Sequence, residues 1–320
     1  MPEFPEVEVV RRGLASHILG SSIIEVTVHD ARSLRRFAPG TEEFIAQLAG
    51  AKIFDLARRG KYLWLVLADE AEQILDDALV IHLGMSGQVL LKSADFPPEK
   101  HLKITLSLTQ NTSEAENLEL RFVDQRIFGG MFLDPLVPII DDQEEPLAAA
   151  SSSEKNLALI PASVAHIARD PLDPHFDFAL LRKKMLRTSS GIKRLLLDQS
   201  VISGIGNIYA DETLWRAKLH YAKPARTISA QQSRELVDAA QEVMETALAA
   251  GGTSFDALYV NVNGESGYFD RSLNAYGQAG KSCKRCLEQG RTSIIVREPF
   301  MNRSSYRCPY CQRKPRSFST

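Results

Sequence analysis

The second residue of the chain is a proline, followed directly by Glu3 and three positions later by Glu6. Removal of Met1 would leave Pro2 with a free secondary amine. An α-amino group titrates near about 7.7 to 8.0 and is substantially unprotonated at neutral pH, whereas a lysine amine must have its pKa lowered before it attacks. A secondary amine that adds to a sugar or carbonyl carbon gives a cationic iminium without shedding a second proton, which suits elimination at the neighbouring carbon. Glu3 and Glu6 are close enough in sequence to carry protons for it. The same residues also read as an ordinary helix start, with Pro5 in the first turn and acids favouring the positive end of the dipole. The two readings are compatible.

A second chemical signal uses every cysteine of the chain, as Cys283-x-x-Cys286 and Cys308-x-x-Cys311. Two such knuckles meet around one tetrahedral metal, and the residues between them can close as a β-hairpin. One structural Zn2+ ion is expected, with four thiolates and no open position for catalysis. Two disulfides are the alternative, which a cytoplasmic setting disfavours. Around this motif the charge is uneven. Residues 281–320 carry ten basic side chains against two acidic ones, so the formal charge of -2 for the whole chain divides into about +8 here and -10 over the rest. A basic module on an acidic body fits a polyanion, and a solvated basic tail fits it too.

Four further stretches could position a ligand. Arg58-Arg59-Gly60-Lys61 leads into an apolar run, so three basic side chains emerge at a strand mouth and could meet a phosphate or simply face water. In the loop 81–87 two glycines permit a tight turn that projects Met85, which is either core filler or a wedge that slides between bases. His82 beside it reads as a hydrogen-bonded structural histidine. The loop 124–130 offers Arg126 and Phe128, two positions apart. Asn207 begins a helix after consecutive turns, as an anion ligand or a helix cap.

The elements that must carry these residues follow from pattern. A helix runs from Pro5 toward Gly20, and short apolar or alternating runs at 23–28, 52–56, 62–67 and 118–123 predict a β-rich layer. Residues 69–77 read as an acidic loop. From Pro135 the strand pattern gives way to Pro, Ala, Ser and acidic residues, a linker with an insertion at 141–155. Helices are expected at 178–187, 192–199, 209–218 and 229–249. A length of 320 residues suits about two domains, no stretch suits a membrane span, and acids stand where a signal peptide would be basic. A cytoplasmic protein is expected.

The chain resembles the bacterial formamidopyrimidine-DNA glycosylases, also called 8-oxoguanine DNA glycosylase/AP lyases. The resemblance rests on Pro2-Glu3-Phe4-Pro5-Glu6-Val7-Glu8, Arg59-Gly60-Lys61-Tyr62-Leu63, His82-Leu83-Gly84-Met85-Ser86-Gly87, Asp198-Gln199, Gly204 through Glu212 and the cysteine module, in family order. It implies a multi-domain α+β fold: an N-terminal β-sandwich with flanking helices (1–135), a linker (136–175), a helix-two-turn-helix domain (176–260), a lesion-recognition loop region (261–280) and a zinc-finger β-hairpin (281–320). DNA would lie in the cleft between the domains. Pro2 would be the Schiff-base nucleophile, Glu3 the proton donor, Lys61 the lysine near the damaged nucleotide, and Asn207 and Arg303 phosphate ligands. Met85, Arg126 and Phe128 would fill the hole left by a flipped base, with His82 among the DNA contacts. The implied partner is damaged double-stranded DNA, bound by a monomer in the bacterial cytoplasm at the nucleoid. Phe4 stands for a more usual Leu, Ile127 for a frequent second basic residue, and the insertion is longer than the family needs. The sibling endonuclease VIII type, which removes oxidised pyrimidines and usually has Gly in place of Phe4, is one alternative. A non-catalytic lesion-binding protein is the other.

Overall fold

The computed structural model describes residues 2–109, 118–140, 152–252, 262–263 and 269–315. Its first element, α1 (Phe4–Ile18), begins where a reciprocal cap forms: the Glu3 N–H donates to Glu6 Oε2 at 2.8 Å, and the Glu3 carboxylate accepts from the Glu6 backbone. Val7, Val10, Leu14 and Ile18, spaced three or four apart, bury one face. The polar residues Glu8 and Arg11 are buried on it as well.

That apolar face packs on two antiparallel sheets. One has the order β1-β6-β7-β5, built from Ile23–Val28, Leu102–Leu108, Leu118–Asp124 and Gly87–Ser93. The other has the order β2-β3-β4-β8-β9, built from Lys52–Arg59, Tyr62–Ala68, Ile74–His82, Gly130–Pro138 and Leu159–Pro161. Val89, Ile104, Leu106 and Phe122 of the first sheet share one core with Leu56, Leu63, Leu65 and Ile81 of the second, closed by α1 and by Phe44 and Leu48 of α2 (Thr41–Leu48). This is the expected β-sandwich with flanking helices.

Two local expectations change. Residues 69–77 are not one acidic loop, because β4 starts at Ile74 and Asp77 pairs with Pro135; a two-sided ladder overrides the low strand propensity of Asp. Within the interval read as a linker, Leu159–Pro161 joins the second sheet beside β8. Residues 141–151 of the insertion lie outside the described residues. Its far end is docked: Ser152 Oγ accepts from Arg58 at 2.9 Å, Ser153 bonds Asp55, and Glu154 Oε1 accepts from Arg11 at 3.0 Å.

Among the described residues, those of 1–166 and 250–267 form one compact unit and those of 167–249 and 268–320 a second. The second holds α3 (Phe178–Leu186), α4 (Ile192–Leu196), α5 (Asn207–Arg216), α6 (Ala230–Ala249), α7 (Lys284–Glu288) and the hairpin β10 (Val296–Phe300) and β11 (Arg303–Arg307). Two turns over 197–206 join α4 to α5, with Gly204 at φ +83°. The helical pair and the cysteine hairpin therefore belong to one unit. No helix among the described residues is long and apolar enough to cross a membrane.

Candidate functional site

Pro2 and Glu3 are buried at the start of α1, Glu3 with 3% of its surface exposed. What fixes them is an ion network one turn later. Glu8 accepts from Arg11 Nη2 at 3.0 Å, Arg12 Nε at 2.7 Å and Arg58 Nε at 2.9 Å. Burial pushes the Glu8 carboxyl up, but the Arg58 charge and the Arg11 hydrogen bond outweigh it and bring the pKa to about 2. Gly252, at φ +86°, brings its backbone against the Glu6 side chain, where an added Cβ would stand 3.2 Å from Cγ.

Arg58 also joins this helix end to the next candidate. Its guanidinium lies 4.1 Å from the Phe4 ring centroid, and Nη1 donates to the Gly60 carbonyl at 3.1 Å. Arg59 pairs with Tyr62 across a two-residue turn, Gly60-Lys61, with Gly60 at φ +57° in the position where only glycine is at ease. Lys61, half-buried, follows in that turn, directly after the Gly60 carbonyl that Arg58 holds. The expectation of three basic side chains at a strand mouth is corrected: Arg58 and Arg59 are each 1% exposed and structural. Lys61 alone of the three stands at the turn.

The loops carrying Met85 and the pair Arg126 and Phe128, the residues expected to insert, are brought together. Met85 and Phe128 are 41% and 52% exposed, and Arg126 is exposed as well. Their two loops touch through backbone, since a Cβ on Gly84 would stand 2.4 Å from the Gly129 nitrogen. Asp124, fully buried, accepts from Ser86 Oγ at 2.6 Å, Arg126 N at 3.1 Å and Gly129 N at 2.8 Å. His82 is not the hydrogen-bonded histidine expected, because its Nδ1 is buried with no hydrogen-bond partner among the described residues. Its ring lies 5.0 Å from that of Tyr62. Burial, with Arg36, Arg35 and Lys61 nearby, depresses its pKa to about 4.

In the second unit Asn207 is the first residue of α5 rather than its cap, which is Gly206. Asn207 Nδ2 donates at 3.0 Å to the carbonyl of Ser304, the residue that follows the exposed Arg303 in the chain. The contact is held by a pair that sequence reading missed. Lys193 Nζ donates to Asp211 Oδ1 at 2.7 Å and to the Ser304 carbonyl at 3.1 Å, while Asp211 accepts from Ser305 Oγ and Tyr306 N. Burial raises Asp211 to about 6 against the pull of Lys193. Glu212, also raised by burial, accepts the backbone N–H groups of Asn274, Ala275 and Tyr276. The only hint in sequence was two adjacent acids inside a helix otherwise buried through Ile208, Tyr209, Leu214 and Trp215.

The four cysteine Sγ atoms lie within 4.8 Å of one another, and none is in a disulfide. A tetrahedron with Zn–S bonds of about 2.3 Å has S···S edges of about 3.8 Å, so the cluster fits one ion. Trp215 Nε1 of α5 donates to Cys283 Sγ at 3.4 Å and Ser293 Oγ lies 3.2 Å from Cys308 Sγ, which is the outer support that sulfur ligands receive.

Comparison with known proteins agrees with this geometry. The formamidopyrimidine-DNA glycosylase N-terminal domain matches residues 1–131, and the H2TH domain of the same enzymes matches residues 167–258. The formamidopyrimidine-DNA glycosylase of Rhodococcus jostii is 53% identical over 99% of this chain and 97% of its own. The chain belongs to the formamidopyrimidine-DNA glycosylase family. The relative from Mycolicibacterium paratuberculosis is 52% identical over 99% of this chain and 100% of its own. Among solved structures, Lactococcus lactis Fpg in complex with abasic-site DNA aligns with a TM-score of 0.75 at 29% identity, covering 98% of this chain and 100% of that one. The same enzyme with Fapy-dG DNA aligns equally well, again at 0.75 and 29%. This member of the family is therefore a DNA-repair glycosylase.

Proposed function

We propose that the chain excises oxidised purines, 8-oxoguanine and formamidopyrimidines, from duplex DNA and then cleaves the strand as an apurinic/apyrimidinic lyase. The observation that carries this reading is the placement of Pro2 and Glu3 at a buried, network-anchored helix start, to which Arg58 also ties the Gly60-Lys61 turn. Once Met1 is removed, the Pro2 nitrogen bonds to C1′ as the glycosidic bond breaks and the base departs. Opening of the C1′–O4′ bond, with O4′ taking a proton from Glu3, gives the iminium, which acidifies the C2′ proton; loss of that proton expels the 3′-phosphate, and a second elimination expels the 5′-phosphate. Lys61, His82, Asn207 and Arg303 meet phosphates. Met85, Arg126 and Phe128 occupy the stack from which the damaged base is turned out, which offsets part of the unstacking cost. Cys283, Cys286, Cys308 and Cys311 hold one zinc ion that supports the hairpin bearing Arg303 and has no chemical role. A monomer acting on chromosomal DNA in a bacterial cytoplasm suits this substrate.

Borohydride reduces an iminium to a stable amine, so lesion DNA with borohydride should leave a covalent adduct that maps to Pro2. An uncleavable extension before Pro2 should abolish trapping and nicking while leaving the fold intact. An adduct on Lys61, or full-rate cutting by the extended chain, would refute the N-terminal mechanism. Excision compared across duplexes with 8-oxoguanine, formamidopyrimidine or thymine glycol tests the purine preference.

A further inference from the structure

The loop that carries Arg126 and Phe128 has an unusual backbone. Ile127 sits at φ +55°, a left-handed conformation that a β-branched residue adopts only under constraint. The constraint comes from two sides. The buried Asp124 carboxylate gathers the loop's N–H groups, from Arg126 and Gly129. The carbonyls are gathered by a residue from a distant part of the chain: Arg35 Nη1 donates to Ile127 O at 2.7 Å and Gly129 O at 3.0 Å, and Nη2 donates to Phe128 O at 2.6 Å. Three successive carbonyls thus share one planar guanidinium, a geometry that the point charge of a lysine cannot reproduce.

Arg35 is itself fixed where it must be. It terminates a 3-10 turn at Ala31–Leu34 whose Ser33 carbonyl would lie 2.3 Å from a Cβ on Gly130, so turn and loop are in backbone contact. Its side chain is exposed, yet all three bonds go to the loop backbone. A segment pressed into a base stack needs its shape fixed beforehand, because any order it must acquire on insertion subtracts from binding.

We propose that Arg35 is a positioning residue for base-stack insertion: its guanidinium clamps the carbonyls of residues 127–129 and holds the strained Ile127 backbone in the form that presents Arg126 and Phe128. The proposal rests on the reading of Met85, Arg126 and Phe128 as inserting residues. It acts on opening of the intact duplex and not on the later bond-breaking steps.

The test compares three DNAs: a duplex with 8-oxoguanine, the same duplex with an abasic site, and an abasic single strand. Arg35→Ala should lower kcat/KM on the 8-oxoguanine duplex about tenfold, the scale of losing one or two hydrogen bonds' worth of loop order, and change the two abasic substrates by less than about twofold. Arg35→Lys should fall between wild type and Arg35→Ala. Because Asn tolerates the left-handed region, adding Ile127→Asn to Arg35→Ala should recover about threefold on the lesion duplex. Equal losses on all three DNAs would make Arg35 a phosphate contact and overturn the proposal, as would no loss, or no recovery with Ile127→Asn. Phe128→Ala and Met85→Ala separate the two readings. If they lose selectively on the lesion duplex and Arg35→Ala does not, insertion stands and the clamp alone falls. If they lose equally on every DNA, insertion itself fails and takes the clamp with it.

Discussion

The two units each bury a carboxylate in a helix that carries candidate site residues and treat it in opposite ways. Glu8 in α1 faces three guanidinium groups, of which Arg58 and Arg11 overcome its desolvation and lower its pKa to about 2. Asp211 in α5 has one ammonium partner, Lys193, and remains raised to about 6. Desolvation alone therefore does not decide a buried acid's state; the number of cations brought to it does. The consequence is a difference in construction. The helix end bearing Pro2 and Glu3 is held by a saturated ion network, and the Asn207–Arg303 neighbourhood by a single pair, hydrogen bonds to β11 and a cysteine cluster that fits a metal.

The largest effect that would expose this difference is metal removal. Chelation, or Cys308→Ser, should cost DNA affinity about a hundredfold or more, because ligand binding is also folding free energy for a small metal module. Amide hydrogen exchange in β2, β3 and α1 should stay protected while β10, β11 and α7 exchange freely. Uniform loss of protection through both units would break the contrast.

Next in size are the two carboxylates themselves. Glu8→Gln leaves Arg11 and Arg58 buried with reduced compensation and should destabilise the first unit by about 3–5 kcal/mol in denaturant titration. The pH slopes should have opposite signs. Glu8 has its folded pKa below the unfolded value, so its contribution is present above about 4.5 and lost as pH falls toward 2. Asp211 has its folded pKa above the unfolded value, so its contribution is present below about 3.8 and lost as pH rises through about 6. Asp211→Asn should remove that second slope, on the order of 1–3 kcal/mol in the protection of α5 and β11. An unchanged slope would mean that Asp211 titrates alike in the folded and unfolded chain, its desolvation cancelled by Lys193 and the hydrogen bonds from Ser305 and Tyr306.

Local spacing made the cysteine cluster, the first helix and most of the first strands legible, because each is encoded within a few residues. What it could not show were partners across the chain. Arg58 meets Glu8 from 50 residues away, so a basic doublet that reads as facing either a phosphate or water proved to be core. Arg35 reaches Ile127 across 92 residues, and nothing in the 3-10 turn distinguishes it from its exposed neighbour Arg36. β4 began inside what reads as an acidic loop because Asp77 borrows its conformation from a strand more than fifty positions on. Residues with a chemical signature stand out in the sequence; Arg58, Arg35 and Lys193, whose partners lie far along the chain, do not.

His82 gives the smallest effect and carries the same electrostatic argument to a base. The cations that keep Glu8 charged belong to the same unit as Arg36, Arg35 and Lys61, and these three, added to burial, keep the His82 ring neutral to about pH 4. A histidine so placed cannot supply a positive charge to a phosphate at neutral pH in the free protein; it can offer only one N–H donor. Its resonances should therefore show no titration step between pH 5.5 and 8 in the free protein, a window about the ordinary histidine value of 6.5. His82→Gln, which retains a neutral donor, should change DNA affinity by less than about threefold, with an unaltered pH profile over that range. A titration midpoint near 6.5, or a pH-dependent loss of affinity in His82→Gln, would show that the ring is charged when DNA arrives, and that the excess of cations around it is screened more strongly than the one around Glu8.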